Sequence, residues 1–143
     1  MSRIDDYRRV ASPGAVDFIL KLAEQVKGRR FLHVTGGRLG GGAAETLRAV
    51  VPILSELGID TRWEITGGDS AYYATARTLQ AALEGAERVL GDEGLARWVD
   101  MNSLNAKKLD LDADLTLVHD SQPASLVTAR TAGRWVWRCH VDC

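Results

Sequence analysis

Apolar residues return every three or four positions through "AVDFILKLAEQV" and again through "AAETLRAVVPILSEL", whereas "RFLHVT", "DTRWEIT" and "LTLVH" are short apolar runs rich in β-branched and aromatic residues. The first spacing belongs to helices with one apolar face, and the second to strands. In chain order, the pattern predicts a helix with Ser12 as N-cap, Pro13 in its first turn and Gly28 just past its end. Phe18, Leu22 and Val26 share a face of it with Ile19. Strand "RFLHVTG" comes next, then a helix carrying Ala43, Leu47, Val50, Val51, Leu54 and Leu57 on one stripe that ends at Gly58. Pro52 inside that helix kinks it or costs it a hydrogen bond. Strand "DTRWEIT" leads to two helical stretches, "DSAYYATARTLQAALEG" and "DEGLARWVDMNSLNAKKLDL", parted near Gly91. Strand "DLTLVHD", helix "PASLVTAR" and strand "RWVWRCHVDC" close the chain.

Strands that alternate with helices predict a parallel sheet covered on both faces, because parallel strands need crossover connections. The expected fold class is α/β, a Rossmann-like parallel sheet flanked by helices. Residues 1–29 form a helical segment packing on a domain of residues 30–143. Ligands of such sheets bind beyond the carboxyl ends of the strands. Three predicted strand ends carry chemistry: the glycines of 36–42, His119 with Asp120, and His140-Val141-Asp142. They are expected to converge on one crevice.

Composition narrows the partners. The 18 basic residues are scattered among 19 acidic ones, for a formal net charge of −1, and form no stripe. Nucleic acid is therefore not an expected partner. No window approaches the ~20 consecutive apolar residues of a membrane span, and "MSRIDDYRRV" lacks the apolar core of a signal peptide. A cytoplasmic protein is expected. On a strand, Cys139 and Cys143 would lie about 13 Å apart, too far for a disulfide.

Five glycines occupy the seven positions 36–42, directly between a strand and a helix. The dinucleotide fingerprint G-x-G-x-x-G fits no frame of this loop: from Gly36 the third place is Arg38, and from Gly40 the sixth is Glu45. The phosphate loop G-x-x-x-x-G-K-[ST] fails as well, since Ala43 and Ala44 follow Gly42. Two readings stand. Gly40, Gly41 and Gly42 let backbone N–H groups approach an anion or a sugar hydroxyl at a helix N-terminus, or they simply turn the chain tightly out of the sheet. Asp120 either binds a ligand or caps the helix near Pro123. His119 and His140 are site residues or core histidines. Tyr72, Tyr73, Trp135 and Trp137 suit packing better than ligand contact. A zinc site at Cys139, His140 and Cys143 is not expected, because a strand points His140 away from both cysteines.

"VTGGRLGGGAAETLRAVVPIL", "LGIDTRWEIT", "LDLDADLTLVHDSQP" and "WVWRCHVD", in that order, resemble the N-terminal domain of retaining nucleotide-sugar glycosyltransferases of the two-domain GT-B type, family 4. Among these, the resemblance is nearest to the trehalose synthase (glycosyltransferring) subgroup and covers roughly residues 30–142. Ser121 precedes Gln122-Pro123 where the family has an Asp-Pro-Gln-Pro type segment, and Gly36-Gly37 stand where it usually has Asn-Ser/Thr. The resemblance implies transfer of glucose from a nucleotide donor, UDP- or ADP-glucose, to a glucose-type acceptor, without a further cofactor or metal. It implies that Gly40, Gly41 and Gly42 face the donor, that Asp120, His119 and Gln122 bind hexose hydroxyls, and that His140 sits beside the transferred hexose. Arg138 is a further candidate for substrate binding, or the partner of a neighbouring carboxylate. The family's phosphate-binding groups belong to a C-terminal donor-binding domain, so this chain is expected to be inactive without one. The alternative is a non-catalytic sugar-binding or interaction module of the same fold. Exposed interdomain surface further implies weak self-association.

Overall fold

The computed structural model of the chain describes residues 3–37 and 41–140. Helices α1 (Arg3–Asp6) and α2 (Ala15–Val26) precede strand β1 (Arg30–Thr35); α3 (Gly42–Glu56) leads to β2 (Asp60–Ile65); α4 (Ser70–Leu83) and α5 (Asp92–Lys108) lead to β3 (Leu115–His119), and β4 (Arg134–Arg138) follows. The four strands are all parallel, in the order β2-β1-β3-β4. This is the Rossmann-like α/β architecture expected from the alternation of helical and strand periods.

Register decides what each face of the sheet offers. Leu32 pairs with Thr116 and Thr116 with Trp135, so these three and Val34 and Val118 share one face. There Leu32 and Val34 pack with Ala113 and Leu126, joined by Ala106, Leu109, Leu111 and Trp135. The opposite face carries His33 beside Leu117, and His119 beside Arg138. Apolar core residues and polar residues thus alternate along β1, as the period of two demands.

Some boundaries differ from the sequence reading. Ser12 does not cap α2. Its carbonyl accepts the Ala15 N–H at 3.0 Å, which closes a turn over Pro13 and Gly14, and Gly14, with φ 82°, occupies the N-cap. Proline fixed at the first central position and glycine at the left-handed second make that turn more favourable than a side-chain cap. Phe18, Ile19 and Leu22 lie on an exposed face of α2, whose buried residues are Val16 and Ala23. The segment after Pro123 is a 3-10 helix, Ala124–Ala129, rather than an α-helix. Strand β4 ends at Arg138, so His140 follows the strand and does not lie on it. The expected spacing of Cys139 and Cys143 falls partly outside the described residues, since Cys143 is not among them. α3 runs through Pro52 and loses one backbone donor there.

Candidate functional site at the switch point of the sheet

The chain leaves β1 toward β2 on one side and leaves β3 toward β4 on the other, so the direction of winding reverses between β1 and β3. Ligand crevices of open α/β sheets form at that reversal, outside the carboxyl ends of the two strands. Here the reversal lies between Thr35 and His119, and a cleft of about 260 Å³ opens directly beyond them. Its floor and wall come from Thr35, Gly36 and Gly37 after β1, and from Gly41 to Ala44 at the start of α3. Gln80, Asp120, Gln122 and His140 complete it. All three strand ends singled out in the sequence meet here.

Asp120 is held from several directions. It is the one described non-glycine residue with a positive φ, 62°, in the left-handed region that Asp and Asn tolerate better than most side chains. Its N–H donates to the Arg138 carbonyl at 2.9 Å, and its own carbonyl accepts Trp137 Nε1–H at 2.8 Å. One carboxylate oxygen, Oδ1, accepts the backbone N–H of His140 at 2.9 Å. Asp120 therefore caps no helix; Pro123 precedes the 3-10 turn without a side-chain cap. Asp120 lines the cleft, and its second carboxylate oxygen has no hydrogen bond to the described residues.

The glycine loop is shaped around Gln122. A Cβ on Gly36 would lie 2.8 Å from both Cβ and Cγ of Gln122, so glycine is required for the close approach of the two strand ends. The Gln122 backbone is fixed by three donors on one carbonyl: Tyr72 hydroxyl at 2.7 Å, Asn102 amide at 2.9 Å and Trp98 Nε1–H at 3.0 Å. Tyr72 is fully buried, and burial first of all pushes its phenol up to about 12, so it remains a donor. On the other side, Thr35 Oγ1 donates to the Gly37 carbonyl at 3.0 Å and accepts Trp63 Nε1–H at 2.8 Å. Gly41, at φ 83° and ψ 148°, precedes α3, and the first residues of that helix, Gly42, Ala43 and Ala44, line the cleft. Gly40 lies outside the described residues.

The histidines form a line. His33 Nδ1 lies 3.1 Å from His119 Nε2, and His119 Nδ1 lies 2.8 Å from His140 Nε2. His119 is 1% exposed and does not line the cleft; both of its nitrogens face other histidines. Burial lowers His33 to about 4, helped by the charge of Arg138. Burial likewise lowers His119 to about 3, with His33, His140 and Arg138 adding to it. Both rings are neutral at neutral pH. Arg138 is exposed, lies outside the cleft lining and pairs with no described carboxylate; its charge acts on the histidines.

A cleft of this shape on this topology is common to many chemistries, and likeness to known proteins separates them. A family model described as "Trehalose synthase, N-terminal domain" matches residues 33–143. The chain belongs to the trehalose synthase N-terminal domain family. It is 37% identical over 143 residues to trehalose synthase of Pyrococcus horikoshii, and 35% identical over 143 residues to that of Thermococcus litoralis. It is 33% identical over 145 residues to trehalose synthase of Rubrobacter xylanophilus. These alignments cover 96–98% of this chain and 34–35% of the relatives, so the chain spans about a third of their length.

For a trehalose synthase N-terminal domain, the residues that sequence reasoning missed are Thr35, which lines the cleft, and His33, Trp98 and Asn102 behind it; Tyr72 was assigned to packing and is buried, but its bond to Gln122 was not foreseen. His33 and Thr35 sit at alternate positions on β1 and mark its polar face, a signal available in "RFLHVT" once the strand is known. Tyr72 and the pair from α5 carried no such signal, since only tertiary packing brings 72, 98 and 102 to one carbonyl. No described helix is long and apolar enough to cross a membrane.

Proposed function

We propose that this chain is the acceptor-side half of a retaining, nucleotide-sugar-dependent glycosyltransferase of GT-B architecture, moving glucose from UDP- or ADP-glucose to a glucose-type acceptor. The observation that carries the reading is the joint placement of Asp120 and His140 at the cleft, tied by the bond from the His140 N–H to Asp120 Oδ1. In this reading the second Asp120 carboxylate oxygen accepts one or two hexose hydroxyls, and the Gln122 side chain adds an amide with a donor and an acceptor. His140 borders the transferred hexose. The N-terminus of α3, with Gly41 and Gly42, faces the donor's diphosphate, where free N–H groups and the helix dipole favour negative charge. His119 and Arg138 act on the site through their neighbours.

Retention is accounted for by front-face attack, in which the leaving diphosphate takes the acceptor proton. No dedicated base is then needed, and catalysis consists of positioning and of stabilising the departing phosphate. The chain's own groups hold and orient the acceptor; the phosphate-stabilising cations belong to the donor-binding domain or chain that completes the enzyme. Alone, this half binds sugar and does not turn it over. Hydrogen bonds net about 0.5–1.5 kcal/mol each, so three or four to a hexose amount to roughly 4 kcal/mol, a dissociation constant near millimolar.

Ligand-detected NMR against glucose, trehalose and UDP- or ADP-glucose tests this, with Asp120→Ala alongside. Weak hexose binding that disappears in Asp120→Ala is the expected result. If the folded chain binds no sugar, the acceptor site is wrong and a non-catalytic interaction module becomes the better description.

A further inference from the structure

The chain contains three histidines, and all three lie in one hydrogen-bonded line that starts in the core and ends at the cleft. His33 stands on β1, His119 at the end of β3, and His140 beyond β4, so the line crosses three elements. The facing nitrogens do not make a metal site: among the described residues no group of three His, Cys, Asp or Glu is placed to hold a metal ion. They are at hydrogen-bond distance, and a hydrogen bond between neutral imidazoles needs one N–H and one bare nitrogen.

That requirement couples the rings. If His33 carries its proton on Nδ1, it donates to His119 Nε2. His119 must then hold its proton on Nδ1 and donate to His140 Nε2, and His140 must hold its own on Nδ1. If His33 instead carries its proton on Nε2, all three rings are Nε2-protonated and the direction of both bonds reverses. Any mixed set places two lone pairs or two protons against each other and loses a bond. Three neutral rings therefore have two fully bonded states between them.

The core end decides which state is occupied. His33 Nε2 is buried and has no hydrogen-bond partner among the described residues. Orphaned buried N–H groups are rare in folded proteins, so the bare nitrogen belongs at that position and the proton on Nδ1. We propose that His33 and His119 are positioning residues that lock His140 in the Nδ1-protonated form, so that it offers the cleft a fixed N–H donor for a sugar or phosphate oxygen. His140 Nε2 is taken by His119 and its backbone N–H by Asp120, which leaves Nδ1 as its ring atom for a ligand. Asp120 then presents an acceptor and His140 a donor, side by side, a pairing that suits vicinal hydroxyls. Only this last step rests on the sugar-binding reading above; the coupling of the three rings does not.

Long-range proton–nitrogen correlation NMR on the chain labelled with 15N-histidine reads the tautomer of each ring directly, without ligand. Three Nδ1-protonated rings are expected at neutral pH. A mixed set overturns the coupling, and three Nε2-protonated rings overturn the direction. His119→Phe cuts both links while keeping an aromatic ring in place. In this variant His140 is expected to move to the Nε2-protonated form that a free histidine side chain prefers in water, and glucose to bind about tenfold more weakly although residue 119 does not reach the cleft. A His140 tautomer unchanged in the variant, or an unchanged affinity, overturns the positioning role. If the wild-type chain binds no hexose, the acceptor-site reading fails, while the wild-type tautomer set still upholds or overturns the relay by itself.

Discussion

Asp120 departs from ordinary backbone geometry, and the cost is met by bonds its neighbours could not otherwise make. A positive φ at a non-glycine residue is uncommon, yet it is what allows the Asp120 N–H, carbonyl and carboxylate to reach Arg138, Trp137 and His140 at once. At the same scale, His33 and His119 link stability to pH. Both are held below the free histidine value near 6.5, to about 4 and about 3, chiefly by burial, with Arg138 and His140 as the facing charged or titratable groups. Between those values and 6.5 the unfolded chain binds more protons than the folded one. The contribution is therefore complete above about 6.5 and is lost as pH falls, down to about 4 for His33 and about 3 for His119, by up to about 1.4 kcal/mol per pH unit for each ring. Urea unfolding at pH 7 and pH 5 should give a lower midpoint at pH 5, and His33→Phe should flatten the difference. A midpoint that does not move between the two pH values contradicts the neutral, buried assignment. Asp120 and His140 were legible in the sequence because polar residues at strand ends stand out; His33 shows only as a polar residue on one face of β1, and nothing local ties it to His119.

Among the elements, the β1–α3 loop and the segment after β3 are built as a pair. Gly36 gives Gln122 room, and Tyr72, Trp98 and Asn102 from α4 and α5 hold the Gln122 carbonyl from the other side. Gly36→Ala should consequently push Gln122 out of place and weaken hexose binding several-fold, while α3 and the sheet remain intact. Titration by NMR with far-UV circular dichroism as a control checks this, and unchanged affinity would argue that Gln122 takes no part in binding. Element type followed from the sequence pattern for the four long helices, α2 to α5, and for the four strands. Element ends did not. The start of α2 moved from Ser12 to Gly14 because a Pro-Gly turn outcompeted a serine cap, and the "PASLVTAR" segment formed a 3-10 helix, Ala124–Ala129.

At the scale of the whole molecule, the described residues leave an apolar surface on α2, where Phe18 is 62% exposed, Leu22 44% and Ile19 41%. Contiguous apolar surface of this kind is usually covered. Weak self-association is therefore expected: the sedimentation coefficient should rise with concentration, and Phe18→Glu should abolish the rise. A strictly monomeric species at high concentration would speak against it. What the sequence determined by itself was the order of helices and strands, and from it the parallel sheet and the edge at which the cleft opens, because hydrophobic period and crossover length are local properties of the chain. Its motifs also carried the family. Tertiary structure alone decided how the three strand ends meet, which atoms of Asp120 and His140 remain for a ligand, and that His33 stands behind them both. Those outcomes depend on strand order and register, which bring together residues up to 86 positions apart, and no local pattern encodes such a pairing.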